Sequence, residues 1–465
     1  MNKVVRLTLS VFSPSPTCGR GARKRAIALA LLASAGLAQA APPIQHWTQP
    51  SGARVYLVES AGIPMLDVRI DFDAGARRDP PPQAGLASAT ALMAGKGVAA
   101  QSDAPALDEN QLGAAWADLG ASFDADAGNE RMSFHLRTLT DPALLPQSVA
   151  LAARQLAAPG FPAEVWQRER ERLSAAIRES RTRPGTVAAI AYDRAVYGQH
   201  PYGDETTPET LAAISAPDMQ RFYAAHIQPC RARMTLVGAV TRAQADALAR
   251  QLLAGLPAQQ TACPPLPAVQ PVQPLAAARE IDIPFDSAQA HVLMGQPGYR
   301  RADPDHFALY VGNYILGGGG FVSRLTEEVR EKRGLSYSVY SNFAPGLDAG
   351  AFTIGLQTRP DQAAQALALT RQVLADFVAH GPTDAEVKAA QDNLVNGFAL
   401  LLDSNAKLLG NVANIAWNDL PLDYLDTWSE HVRRVTAADV KAAFARKIDP
   451  ARLVTVVVGA QAGER

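Results

Sequence analysis

Three short segments occur twice in this chain at nearly one spacing, and that repetition limits the possible folds more than any single motif does. GFPAEV at 160–165 matches GPTDAEV at 381–387, with the two glutamates 386 − 164 = 222 residues apart. ISAPD at 214–218 matches VTAAD at 435–439 (439 − 218 = 221), and MTLVG at 234–238 matches TVVVG at 455–459 (459 − 238 = 221). Chance likeness between Ala- and Val-rich stretches would not keep the spacing constant. The 465 residues are therefore read as two copies of one unit of roughly 200 residues.

Alternating apolar runs at 53–59, 65–72, 121–127, 131–136 and 233–240 read as strands, the third and fourth joined by a turn at Gly128 and Asn129. Helical spacing appears at 84–94, 142–156 and 162–181. The pattern predicts an α+β fold of two homologous half-domains, each a largely antiparallel sheet with helices packed on one face. At 256–278 the composition changes to Pro, Gln and Ala, with prolines at 257, 264, 265, 267, 271 and 274, which describes an extended linker. The first half-domain is then 41–255 and the second 279–465.

Residues 1–40 read as an export signal. Arg20, Arg23, Lys24 and Arg25 precede an apolar run at 26–37 and the small-residue site Ala38-Gln39-Ala40, so cleavage is expected after Ala40. The run is short for a bilayer span, an uncleaved anchor being the alternative. The expected location is the periplasm or the exterior. Cys230 and Cys263 remain in the mature chain, either as a disulfide suited to such a compartment or as two free thiols. A formal net charge of −1 gives no single-sign field of the kind that nucleic-acid or membrane-surface binders carry.

The densest chemical signal is the stretch LGGGGFVSRLTEEVREKRGLSYSVY at 316–340. Gly317, Gly318, Gly319 and Gly320 free the backbone for positive φ and for close approach by another chain. An amphipathic helix is predicted at 321–332, Gly334 ends it, and a strand is predicted at 335–340. A phosphate loop is excluded, because no Lys-Ser/Thr follows the glycines and the run comes after a helix. A flexible loop ahead of an amphipathic helix explains the same composition without chemistry.

This stretch resembles the start of the C-terminal half-domain in the pitrilysin/insulinase zinc peptidases, in the branch of the two-subunit processing peptidases. The resemblance covers about 44–460. It implies that Arg330 and Tyr337, seven residues apart, reach a substrate carbonyl near the scissile bond. A guanidinium and a phenol are donors suited to an oxygen that becomes an oxyanion.

The same resemblance exposes what is missing. The family carries H-x-x-E-H on the helix after the second strand, with a third ligand on a later helix. The frame GLASATALM at 85–93 is kept here, yet Ser88 and Leu92 stand at the histidine positions, Ala91 at the base and Ala176 at the third ligand. None of these can hold zinc. No two of the eight histidines lie three to five residues apart, and His200, in His-Pro-Tyr-Gly, reads as part of a structural loop. There is no G-x-S-x-G elbow either.

The resemblance thus implies a zinc-less subunit of an exported heterodimeric metallopeptidase, with no cofactor of its own and zinc on a family partner. It would bind extended peptide or unfolded protein and stabilise the oxyanion. A stand-alone periplasmic peptide-binding or scaffolding protein is the alternative.

Overall fold

The computed structural model describes residues 43–102, 104–257 and 263–460. The expected leader and its cleavage site lie outside the described residues, as does part of the linker. Among the described residues no helix is long and apolar enough to cross a membrane.

The first sheet contains β1 (Gln45–Thr48), β2 (Arg54–Glu59) and β3 (Met65–Phe72). A short ribbon of β4 (Gly97–Val98) and β5 (Leu107–Asp108) stands apart. Then β6 (Ser122–Ala127), β7 (Met132–Leu139) and β8 (Arg233–Gly238) complete the sheet in the order β1-β2-β8-β3-β7-β6. The second sheet is built from β9 (Arg279–Ile283), β10 (Ala290–Pro297), β11 (Ser338–Phe343), β12 (Ala351–Thr358) and β13 (Val454–Val458). Its order is β9-β13-β10-β12-β11, the same path as β2-β8-β3-β7-β6. Both sheets are antiparallel except at one equivalent pair, β2 with β8 and β9 with β13.

The matched sequence segments have physical roles in this repeat. ISAPD and VTAAD are helix starts: Ser215 and Asp218 form one reciprocal cap, Thr436 and Asp439 the other, each satisfying backbone N–H groups that the first turn leaves free. MTLVG lies in β8 and the TVVV of TVVVG in β13, strands buried along nearly their whole length. Unbroken apolar strands of this kind need cover on both faces.

Each sheet packs its own helices on one face, around Val149, Leu156, Met219 and Phe222 in the first half and around Leu309, Leu374, Phe377 and Phe444 in the second. The opposite face is covered by a helix from the other half. The Pro184–Tyr197 helix sets Ala188, Tyr192, Ala195 and Val196 against Val454, Val456 and Val458. The Tyr192 hydroxyl donates to the Phe352 carbonyl at 2.8 Å, and Ala351 N donates to the Tyr197 hydroxyl at 2.9 Å. In return the Asn405–Trp417 helix lies on β8 and β3, where Arg233 donates to the Ala416 carbonyl at 2.8 Å. The two exchanged helices are themselves a repeat pair, since 184 + 221 = 405.

Polar contacts fix this joint further. Glu130, beside β7, accepts from the Tyr202 hydroxyl, from Leu347 N at 2.5 Å and from Trp417 Nε1 at 2.8 Å, so one carboxylate ties both halves together. His200 is buried there. Its Nδ1 accepts from Tyr202 N at 3.1 Å, and its Nε2 lies 3.6 Å from Asp348.

Cys230 and Cys263 are joined in a disulfide with Cα atoms 5.8 Å apart, fastening the linker to the end of the first half. The bridge spans 33 residues, and closing a loop of that length stabilises by about 4 kcal/mol on the chain-entropy model. Chemical denaturation with and without reductant should show a loss of that order. Coincident curves, with reduction verified by thiol counting, would remove the bridge from the stability of the fold.

Candidate functional site

The glycine run shapes one wall of an open cleft. The chain leaves the His306–Asn313 helix through a widened turn at Tyr314–Gly318, and Gly317 passes so close to β11 that a Cβ would stand 2.4 Å from Ser341 N. Only glycine fits that approach. Gly319 N donates to the Tyr314 carbonyl at 2.8 Å, and Gly320 takes a φ of 60°.

The segment that follows departs from the predicted helix at 321–332. A 3-10 turn occupies Gly320–Val322, and the helical turns of Thr326–Glu331 are widened. Arg324 anchors the segment through a forked pair with Glu386, at 2.6 and 2.7 Å. The predicted strand at 335–340 also begins later, at Ser338. Leu335 N is tied back to the Val329 carbonyl at 2.9 Å, and the Ser336 hydroxyl bonds to the Ser338 and Gln357 carbonyls, so both are spent on the turn.

That turn brings the two singled-out side chains together. Arg330 and Tyr337 line a cleft of about 680 Å³, with Gly317, Gly318, Gly320 and Phe321 on one side and the edge strand β11 along another. The Arg330 guanidinium carbon lies 4.8 Å from the Phe321 ring centre and 5.6 Å from that of Tyr337, a cation held between two aromatic faces. Tyr337 is 79% exposed and Phe321 71%, so neither ring serves the core. The stack from Phe321 was not foreseen in the sequence; its only signal was an aromatic residue directly after the glycines. β11 is the sheet's edge, paired among the described residues only with β12, and Asn313 Nδ2 donates to its Ser341 carbonyl at 3.2 Å. An edge strand is where an extended chain can add itself to a sheet.

The metal frame has no such chemistry. The Leu86–Ala94 helix starts where the Asp79 carboxylate accepts from Gly85 N and Ala87 N, each at 2.8 Å. On it Ser88 is exposed, Ala91 buried and Leu92 half-buried, while Ala176 is exposed on the Ala163–Ser180 helix. A hydroxyl and three hydrocarbon side chains do not fit zinc. Glu169, on the same helix as Ala176, is already engaged by Arg168, Arg172 and Lys96 at 3.2, 2.8 and 3.3 Å. Burial would raise its pKa, but hydrogen bonds from Arg172, Arg168 and Lys96 prevail and hold it at about 2. Among the described residues no three His, Cys, Asp or Glu side chains group so as to hold a metal ion. Elemental analysis of the purified chain after dialysis against a weak chelator should find far less than one zinc per chain; one retained equivalent would contradict this.

Comparison with known proteins gives these features a family. The profile described as "Insulinase (Peptidase family M16)" matches residues 54–208, and the one described as "Peptidase M16 inactive domain" matches 213–394. A solved structure of a peptidase M16 inactive domain from Pseudomonas fluorescens is 32% identical, with a TM-score of 0.84 over 91% of this chain and 99% of that one. The chain belongs to peptidase family M16. Within M16 it is peptidase-like and of the inactive type. An uncharacterized zinc protease of Streptomyces coelicolor is 28% identical over 411 residues, 86% of each chain. The periplasmic protease PqqL of Escherichia coli shares the fold, with a TM-score of 0.76 at 18% identity over 91% of this chain and 46% of that protein.

Proposed function

We propose that this M16 chain is the zinc-less subunit of an exported two-chain metallopeptidase, whose zinc and catalytic base sit on a family partner. One observation carries the reading. Arg330, Tyr337 and the glycine run share a cleft along a free strand edge, whereas the Ser88, Ala91 and Leu92 positions retain nothing that could bind a metal. An extended peptide would pair its backbone with β11, and Gly320, with open space where a Cβ would stand, would let it approach closely. Arg330 and Tyr337 would then donate to the carbonyl oxygen under attack. The basic and apolar sequence of 1–40 and the Cys230–Cys263 bridge support an oxidising, exported compartment. The exposed rings of Phe321 and Tyr337 also favour a second reading, a scaffold that holds peptide without chemistry.

Association separates the two. Mixing the chain with a zinc-bearing M16 chain encoded beside it should yield a one-to-one complex by light scattering. A homodimer that binds peptide and ignores the zinc chain would favour the scaffold.

A further inference from the structure

We propose that the arginine-lined cavity walled by the Cys230–Cys263 bridge is a binding site for a small oxyanion, the chemistry shared by inorganic phosphate and by a carboxylate such as a peptide's C-terminus. The cavity has a volume of about 310 Å³ and shares no lining residue with the cleft around Arg330. At about 30 Å³ per water it has room for an anion and part of its hydration shell. Arg54, Arg231 and Arg233 come from the first half, the linker at 264–266 forms another wall, and Trp417 enters from the second half.

The charges in these walls are unevenly matched. Arg54 and Arg233 share Asp419, at 2.6 and 3.1 Å, and Arg233 also lies over the Trp417 ring at 5.1 Å from its centre. Asp73 lines the cavity but is already paired with Arg77 at 2.9 Å and Arg78 at 2.5 Å. Burial would raise its pKa, yet those arginines hold it below the usual carboxylate range.

Arg231 is the exception. Its Nη2 donates to the Pro264 carbonyl at 2.6 Å, but it makes no ion pair among the described residues, and its Nε is buried with no hydrogen-bond partner there. Asp73 is the acidic side chain that acts on Arg231, and it is already shared with Arg77 and Arg78. An oxyanion in the cavity would add counter-charge against the guanidinium that lines it, using the geometry that suits guanidinium to phosphate and carboxylate alike. Because the linker forms one wall, the bound anion would also fasten 264–266 to the first half beside the bridge.

Calorimetric titration of the oxidised full chain tests this, with sodium phosphate and sodium acetate in parallel at an ionic strength fixed by sodium chloride. One saturable site is expected, and the anion that fills it identifies the source as phosphate-like or carboxylate. Arg231→Gln should weaken binding tenfold to a hundredfold, the range for a hydrogen bond to a charged group. Arg54→Gln, at a second arginine of the cavity wall, should weaken it in the same direction and keeps the test open if Arg231→Gln does not fold. Arg359→Gln, an exposed arginine outside the cavity, should bind normally. Failure of both anions to saturate, or unchanged binding in both cavity variants, would overturn the assignment.

Discussion

Tyr337→Phe is expected to lower kcat of the assembled pair by a hundredfold to a thousandfold, while KM and subunit affinity stay near their original values. The substitution removes one hydroxyl from a ring that is 79% exposed, so neither the core nor β11 loses packing. In the proposed complex zinc activates water from the partner's side, and the developing oxyanion needs donors from the opposite wall. Losing one such donor costs about 3 to 4 kcal/mol of transition-state stabilisation. A fall in kcat without a matching rise in KM is the mark of an interaction made mainly in the transition state. Arg330→Ala should act in the same direction, with some rise in KM, because it also releases Phe321 from its stack. Normal turnover in the double variant would reduce the cleft to peptide holding.

Tyr192→Ala is expected to cost about 3–5 kcal/mol of folding stability, the range for truncating a large buried aromatic side chain. Tyr192 is 2% exposed and belongs to a helix of the first half, yet it packs against Val454, Val456 and Val458 of the second sheet and donates to the Phe352 carbonyl. Truncation leaves a cavity and removes the hydroxyl's bonds to the Phe352 carbonyl and the Thr353 hydroxyl at the joint. Arg194→Ala, on the same helix but with a side chain 72% exposed, should stay within about 0.5 kcal/mol. If Tyr192→Ala unfolded at the same denaturant concentration as the parent, the exchanged helix would not be holding the halves together.

The contrast between these two sites shows what could be read in the sequence. The repeat was legible because its matched segments are local devices: Ser215 with Asp218 and Thr436 with Asp439 cap helices within four residues, and β8 and β13 declare burial by unbroken apolar runs. The absence of ligands at Ser88, Ala91 and Leu92 was legible for the same reason, since a four-residue spacing on one helix carries the motif. The helix exchange was not. Nothing in Pro184–Tyr197 says that Tyr192 faces a strand more than 150 residues away rather than its own sheet, and nothing near Glu130 announces Leu347 and Trp417 as partners. The strand read at 335–340 begins only at Ser338, because Leu335 and Ser336 alternate like strand residues while their bonds hold the turn that brings Tyr337 to the cleft.

The central claim is that this chain completes a peptidase it cannot constitute alone, and a titration of activity against subunit ratio tests it most directly. A fixed amount of the zinc-bearing chain would receive increasing amounts of this one, with cleavage of an unfolded peptide followed by fluorescence. Each chain alone should be inactive, and the rate should rise linearly and level off at one chain of each kind. Full activity in the zinc chain alone, unchanged by any addition of this one, would contradict the account.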